Sequence, residues 1–283
     1  MNIVTLMNYD WSCKNNTSLC LSWIKQANDW LDSKDKVVIM SEKDLPEIIK
    51  EFISSKNTRV KFHFDNYVRQ PKHYIAIQNI LKCSGLTMDH RHISFYEKMF
   101  ILDKLDYPYV FIDADAFLTN NPEPLRLALE SGNPFMMPDH ERDIVGHTDT
   151  QPPFPNSGVM VVNDPDKKFF SIDKLLNYGE SICFRYFFPG TYKQIPGFDQ
   201  SLIFLYCLHN NHDYHSVYLT SDQNACAVRI EYYINSGRWS ARDKITKKDV
   251  TISHHWWNFK PWGDRFKVNC PFFDEILDRL NNA

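Results

Sequence analysis

Two aspartates one residue apart, Asp113 and Asp115, close an apolar run in the stretch YPYVFIDADAFLTNNPEPL, residues 107–125. On an extended backbone, side chains two residues apart point the same way. Two carboxylates so placed repel each other unless a proton or a cation lies between them. A hard divalent cation takes oxygen ligands and often completes its shell with phosphate oxygens. The plainer reading of a D-x-D is that Asp113 ends the strand and Asp115 caps a turn. Near the far end, ISHHWWNFKPW (252–262) carries adjacent histidines. On a strand they face opposite ways.

The aspartate pair needs a rigid support, and the first half of the chain supplies one. NIVTLM, KVVIMS, RVKFHF and YVFIDA read as strands. Between them TSLCLSWIKQANDWL, EKDLPEIIKEFISS (entered near Pro46) and SFYEKMFILDKL read as helices. Strands that are apolar nearly throughout, alternating with helices, predict a largely parallel sheet covered on both faces. Ligands of such sheets sit beyond the carboxyl ends of the strands, where the aspartates fall. Beyond residue 130 the rhythm changes. NPFMMPD, NSGVMVVN, HSVYLTS and VTISHHWW read as strands, and DKLLNYGESICF and DQSLIFLYCLHN as helices. HERDIVGHTDTQPPFP reads as a polar loop. No repeat, low-complexity block or linker interrupts the chain, so it reads as one α/β domain over residues 1–283.

Composition narrows the partners. With 283 residues, 43% hydrophobic and 24% charged, the chain is an ordinary globular protein. Its net charge of −3 lacks the positive excess of a nucleic-acid binder. Only 9 glycines are present, and neither a GxGxxG nor a Walker pattern occurs. Aromatics reach 14%, which chiefly implies an aromatic core. The 7 cysteines are scattered and never spaced as CxxC, which points to reduced thiols inside a cell. No signal peptide or membrane-length apolar run is seen, so a cytoplasmic location is expected. NNTS at 15–18 is then not expected to be glycosylated.

The segment YVFIDADAFLTNNPEPL resembles the aspartate-bearing strand of retaining glycosyltransferases of the GT-A fold, the group that includes glycogenin and bacterial lipopolysaccharide galactosyltransferases. That resemblance implies a Rossmann-like domain with a mixed, mostly parallel central sheet flanked by helices. It implies residues 1–120 as the nucleotide-binding half and 121–283 as the acceptor and sugar half. The two aspartates would hold a divalent ion, usually manganese with magnesium as the alternative, that bridges the diphosphate of a nucleotide sugar such as a UDP-sugar. The segment ISHHWWNFKPW resembles the family's closing motif, in which a metal-binding histidine precedes Lys-Pro-Trp by six residues. His254 fits that spacing, with His255 as the alternative, and Lys260 becomes a diphosphate contact. Trp257 stands where the family has glycine, which puts the close backbone approach to the diphosphate in question.

Further segments match in order. Lys98, in FYEKMFILDKL, corresponds to a basic residue that approaches the donor; its plain reading is a solvated helix-face lysine. Asn156, in FPNSGVMVVN, would face the sugar. In PGFDQSLI, Asp199 would hold donor hydroxyls and Gln200 would lie near the reacting face, although Asp199 could also simply cap the following helix. In VTLMNYDW, Thr5 would meet the base edge and Tyr9 would stack on uracil, with Trp11 competing. Ala114, between the aspartates, joins the donor-binding set. The resemblance covers roughly residues 3–262, with 20–90 generic.

The activity implied is metal-dependent transfer of a hexose from a nucleotide sugar, with retention, to a hydroxyl of a glycan, protein or small molecule. Two other readings compete. A non-catalytic nucleotide- or sugar-binding protein on the same fold would accommodate Trp257. A haloacid-dehalogenase-type phosphatase also opens on an apolar strand and D-x-D. It wants threonine or valine where Phe117 stands, and its motif lies near the start of the chain.

Overall fold

The central strands are apolar on both sides because each side packs against its own core. The computed structural model describes residues 1–55, 58–68, 70–83, 96–102, 104–138, 156–182, 198–214, 224–255, 261–262 and 269–282. Its six-stranded sheet joins β1 (Asn2–Leu6), β2 (Lys36–Ser41), β3 (Lys61–Asn66), β4 (Tyr109–Ile112), β6 (Phe135–Met136) and β7 (Val159–Val162). The order is β3-β2-β1-β4-β7-β6. β1 to β4 are mutually parallel, and β7 runs antiparallel to both its neighbours. Ile3, Val37, Ile39, Val110, Ile112, Val159 and Val161 face one buried cluster. Val4, Val38, Met40, Tyr109, Phe111, Met160 and Val162 face the other. Strict alternation thus places apolar residues on both faces, as a doubly covered sheet requires.

Helices α1 (Lys14–Trp30), α2 (Glu47–Ser54) and α7 (Pro271–Asn282) contribute to the first cluster. Helices α3 (Pro71–Cys83), α5 (Ile172–Ile182) and α6 (Phe198–His209) contribute to the second. Helix α4 (Glu123–Glu130) adds Leu125 and Ala128 to the first. Pro46, with fixed φ and no N–H, begins α2. The sheet is therefore mixed but mostly parallel and flanked by helices, as expected.

A second, three-stranded sheet, in the order β5-β11-β8, joins β5 (Ala116–Leu118), β8 (Asn224–Cys226) and β11 (Ile252–His254). It brings the C-terminal HH pair beside the aspartates, with His254 opposite Ala116. A hairpin of β9 (Ile230–Asn235) and β10 (Arg238–Asp243) turns at Ser236 and Gly237, both at positive φ.

One expectation is corrected. Within SFYEKMFILDKL, the described residues form a 3₁₀ turn at Glu97–Ile101 rather than an α-helix. Its bonds run three residues apart, from Met99 N to Tyr96 O and from Leu102 N to Met99 O. Glu97, Met99, Phe100 and Ile101 are all buried, so the segment lacks the solvated face that would favour a regular amphipathic helix. Helices α3, α4 and α7 and the β9–β10 hairpin were not anticipated. The loop at 140–155 and the strand expected at 215–221 lie outside the described residues.

Candidate active site

The aspartates converge through a turn, not through an extended strand. β4 ends at Ile112, and the chain then folds back so that Ala116 N–H donates to Asp113 O at 2.9 Å. β5 then departs to pair with β11. Asp113 remains tied to the main sheet, its N–H donating to Gly158 O at 2.8 Å. Asp115 is tied to the second sheet, its carbonyl accepting from His255 N–H at 2.8 Å. The junction of the two sheets therefore sets the separation of the carboxylates.

His254 completes the cluster. One ligand atom from each of Asp113, Asp115 and His254 lies within 4.8 Å of the others. His254 Nε2 is 3.5 Å from Asp115 Oδ1. The ring is steadied from behind by Asn156, whose Nδ2 lies 3.0 Å from His254 Nδ1. Asn156 is itself anchored, its Oδ1 accepting from Gly158 N–H at 2.9 Å. Two carboxylates and one imidazole form a donor set that fits a divalent ion with mixed oxygen and nitrogen preference. Asn156 Nδ2 can only donate, so Nδ1 accepts here and Nε2 of a neutral ring carries the proton. Ligation through Nε2 requires the Asn156 amide to present its oxygen to Nδ1 instead.

The strand geometry separates the histidines. His255 turns away, its ring buried against Phe117 and Tyr232. Tyr232 Oη lies 2.7 Å from His255 Nε2, and Ser253 Oγ lies 3.2 Å from the same nitrogen. His255 is thus engaged in packing, and His254 is the histidine beside the aspartates.

Lys98 is not a solvated lysine. Its ammonium is 3.0 Å from Asp113 Oδ2 and 3.2 Å from Asp199 Oδ2, and its side chain is 11% exposed. Burial works to discharge it, but Asp113 and then Asp199 outweigh burial and hold it above the ordinary lysine range. Burial pushes the Asp113 carboxyl up; Lys98 opposes this, Asp115 adds to it, and His254 opposes it. Three carboxylates against one ammonium leave two formal negative charges when His254 is neutral, a balance that one divalent cation would neutralise.

Asp199 and Gln200 stand in the first turn of α6. Asp199 is buried and accepts from Ser157 Oγ at 2.7 Å, while Gln200 Oε1 accepts from Ser157 N–H at 3.1 Å. Ser157 was not singled out from sequence, although it stands inside the NSG that drew attention to Asn156. Gly158 was missed as well, and it provides the space that His254 occupies.

On the β1 side, Thr5 is fully buried, and among the described residues its hydroxyl has no hydrogen-bond partner. Tyr9 packs edge-on against Trp11 with ring centroids 6.0 Å apart. Burial, followed by the charge of Asp115, pushes the Tyr9 phenol well above its ordinary value. Tyr9 therefore lies within electrostatic reach of the aspartates. Asn8 joins this side, with Nδ2 donating to Glu97 Oε2 at 3.2 Å and to Glu42 Oε2 at 3.3 Å. Ala114 is buried in the aspartate turn. Lys260 and Trp257 lie outside the described residues.

The six-stranded, mostly parallel sheet with its flanking helices has the GT-A fold, shared with solved glycosyltransferases. The galactosyltransferase LgtC, solved with donor and acceptor sugar analogues, is similar over 99% of this chain and 96% of its own, with a TM-score of 0.57 and 15% identity. Mouse xyloside xylosyltransferase 1 is similar over 92% of this chain and 99% of its own (TM-score 0.59, 12% identity). The glycosyltransferase GlyE of Streptococcus pneumoniae TIGR4 matches 99% of this chain but 63% of its own (TM-score 0.55, 13% identity). No protein-family model and no curated protein matches the sequence. This architecture does not favour the phosphatase reading. Among the described residues, no helix is long and apolar enough to cross a membrane.

Proposed function

We propose that this chain is a metal-dependent glycosyltransferase. It would move a hexose from a nucleotide sugar, UDP-linked, to a hydroxyl of a glycan, protein or small-molecule acceptor with retention of configuration. One domain would do this, with residues 1–120 binding the nucleotide and 121–283 the sugar and acceptor. The observation that carries the reading is the convergence of Asp113, Asp115 and His254 within 4.8 Å, at the end of a GT-A strand. The named activities of the neighbours, galactosyl and xylosyl transfer, belong to the same reaction class.

Asp113, Asp115 and His254 would hold Mn2+, with Mg2+ as the alternative. When bound, the ion supplies Lewis-acid stabilisation for the negative charge of a departing diphosphate. Lys98, fixed between Asp113 and Asp199, adds a preorganised positive charge on the same side. Lys260 would add a charge-assisted bond to phosphate. Asp199 would accept hydrogen bonds from sugar hydroxyls, with Asn156 and Gln200 bounding the sugar. Thr5 and Tyr9 would border the base.

In the transfer itself, the acceptor oxygen bonds to the anomeric carbon as the bond from that carbon to the phosphate oxygen breaks. The departing phosphate takes the acceptor's proton. Attack on the same face as departure retains configuration without a protein nucleophile, and trapping a covalent sugar on Asp199 would overturn this order of events.

The test is release of UDP from a panel of UDP-hexoses with Mn2+, before and after chelation. Turnover that chelation abolishes, and that Asp113→Asn lowers by on the order of 10²- to 10³-fold, supports the reading. Binding of nucleotide sugars without turnover, across several donors and acceptors, favours a non-catalytic binding protein on this fold.

A further inference from the structure

Three residues from two distant segments, Lys98 and the Asp199–Gln200 pair, meet at one buried serine. Ser157 is fully buried, and every polar group it carries is engaged. Its hydroxyl donates to Asp199 Oδ2 at 2.7 Å and accepts from Lys98 Nζ at 3.2 Å. Its carbonyl accepts from the same ammonium at 3.1 Å. Its N–H donates to Gln200 Oε1 at 3.1 Å.

The directions of these bonds are forced. An ammonium only donates and a carboxylate only accepts, so the serine hydroxyl must receive from Lys98 and give to Asp199. Lys98 carries three protons and faces four oxygens: Asp113 Oδ2, Asp199 Oδ2, Ser157 O and Ser157 Oγ. The hydroxyl gives Asp199 a second donor, so that this carboxylate does not depend on Lys98 alone. Gln200 is oriented by the same residue. A main-chain N–H can meet only the oxygen of the side-chain amide, which turns the amide nitrogen away from Ser157.

We infer that Ser157 is a positioning residue that links the metal-ligand side of the site, through Lys98 and Asp113, to the sugar side, through Asp199 and Gln200. The inference rests on the glycosyl-transfer reading above and adds a residue that touches neither the ion nor the substrate. Its hydroxyl keeps Asp199 and Lys98 in one fixed arrangement, so that the carboxylate meets sugar hydroxyls without having to be reoriented. Preorganisation of this kind acts on turnover more than on binding of the nucleotide portion.

The experiment is a double-mutant cycle with Ser157→Ala and Asp199→Asn, read by kcat for a UDP-hexose and by the Kd of UDP in the presence of Mn2+. UDP lacks the sugar and should not sense Asp199. The expected result is a kcat lowered on the order of 10-fold or more by S157A, with the Kd of UDP within about twofold of wild type. S157A should add nothing further in the D199N background, because coupled residues are not additive. Ser157→Cys keeps the volume with a weaker hydrogen bond and is read in the same way if the alanine variant does not fold. Wild-type kcat in both Ser157 variants overturns the inference. So does an equal loss in the D199N background, or a loss of UDP affinity as large as the loss of turnover. A wild-type chain that releases no UDP from any donor overturns the transfer reading, and this inference with it. That outcome is distinct from a working wild type matched by its Ser157 variants.

Discussion

Gly158 lies directly against the His254 ring. A Cβ added at residue 158 would meet His254 Cε1 at 2.2 Å, His254 Nε2 at 2.8 Å and Asn156 Oδ1 at 2.9 Å. No real Cβ sits that close to another atom, so either the imidazole or the Asn156 amide must give way. The ring has little freedom to move, being buried and held by Asn156. Gly158→Ala should therefore weaken Mn2+ binding by on the order of 10-fold or more, as loss of a group that orients a metal ligand does. Isothermal titration with Mn2+ checks this, and wild-type affinity in G158A would show that His254 does not hold the ion.

The two histidines should separate cleanly under mutation. His254→Ala should lower Mn2+ affinity, and it also leaves the buried Asn156 amide without its ring partner. His255→Ala should lower the thermal midpoint while leaving Mn2+ affinity near wild type. It removes one partner of Tyr232 Oη, which keeps Ser253 Oγ, and a buried ring packed on Phe117, at a cost of about 0.5–1.5 kcal/mol for the lost hydrogen bond and more for the lost packing. Calorimetric unfolding and metal titration of the two variants side by side decide the matter; equal metal loss in both would contradict the assignment.

Lys98→Met should leave the half-buried Asp113 and the buried Asp199 without their cation and reduce stability by about 3 kcal/mol near neutral pH. The pH dependence has a definite sign. Burial and Asp115 push Asp113 upward, and the variant removes Lys98, the main opposing influence. An acid whose folded pKa lies above its unfolded value destabilises the fold once ionised, so the variant should regain stability as pH falls. Denaturant melts from about pH 8 to about pH 5 test this, and a variant that weakens further on acidification would contradict it.

A second pH effect has the opposite sign and lies far from the site. Asp35 accepts from Arg126 Nη1 at 2.7 Å and Arg126 Nη2 at 2.6 Å. Burial alone would raise its carboxyl, but Arg126, the Met1 amino group and the Asp32 N–H outweigh burial and hold it down at about 2. A depressed carboxyl stabilises above its unfolded pKa of about 3.9 and loses that contribution as pH falls through the folded value. Asp35→Asn should thus be less stable than wild type by about 3 kcal/mol at neutral pH. The gap should narrow from about pH 4 toward pH 2, as followed by urea unfolding. A gap independent of pH would contradict this.

The sheet was legible because doubly buried strands are apolar at every position, as in YVFI and VMVV. The positions of Asp113, Asp115 and His254 were legible through their spacing within motifs. The cause of their convergence was not. Side-chain alternation along a strand gave the right neighbours for the wrong reason, since a turn at Asp113–Ala116 brings the carboxylates together. The roles of Ser157 and Gly158 depend on contacts with Lys98, Asp199 and His254, which lie dozens of residues away, so no local pattern could carry them. The β9–β10 hairpin did leave a local trace, the Ser236-Gly237 pair at positive φ, of the kind that tight hairpin turns need.

The most direct measurement is anomalous diffraction at the manganese edge from crystals grown with Mn2+ and UDP. The account predicts one strong peak within ligand distance of Asp113, Asp115 and His254, with diphosphate oxygens on its open side. An ion bound elsewhere, with ordered UDP and no peak among those three side chains, would contradict it.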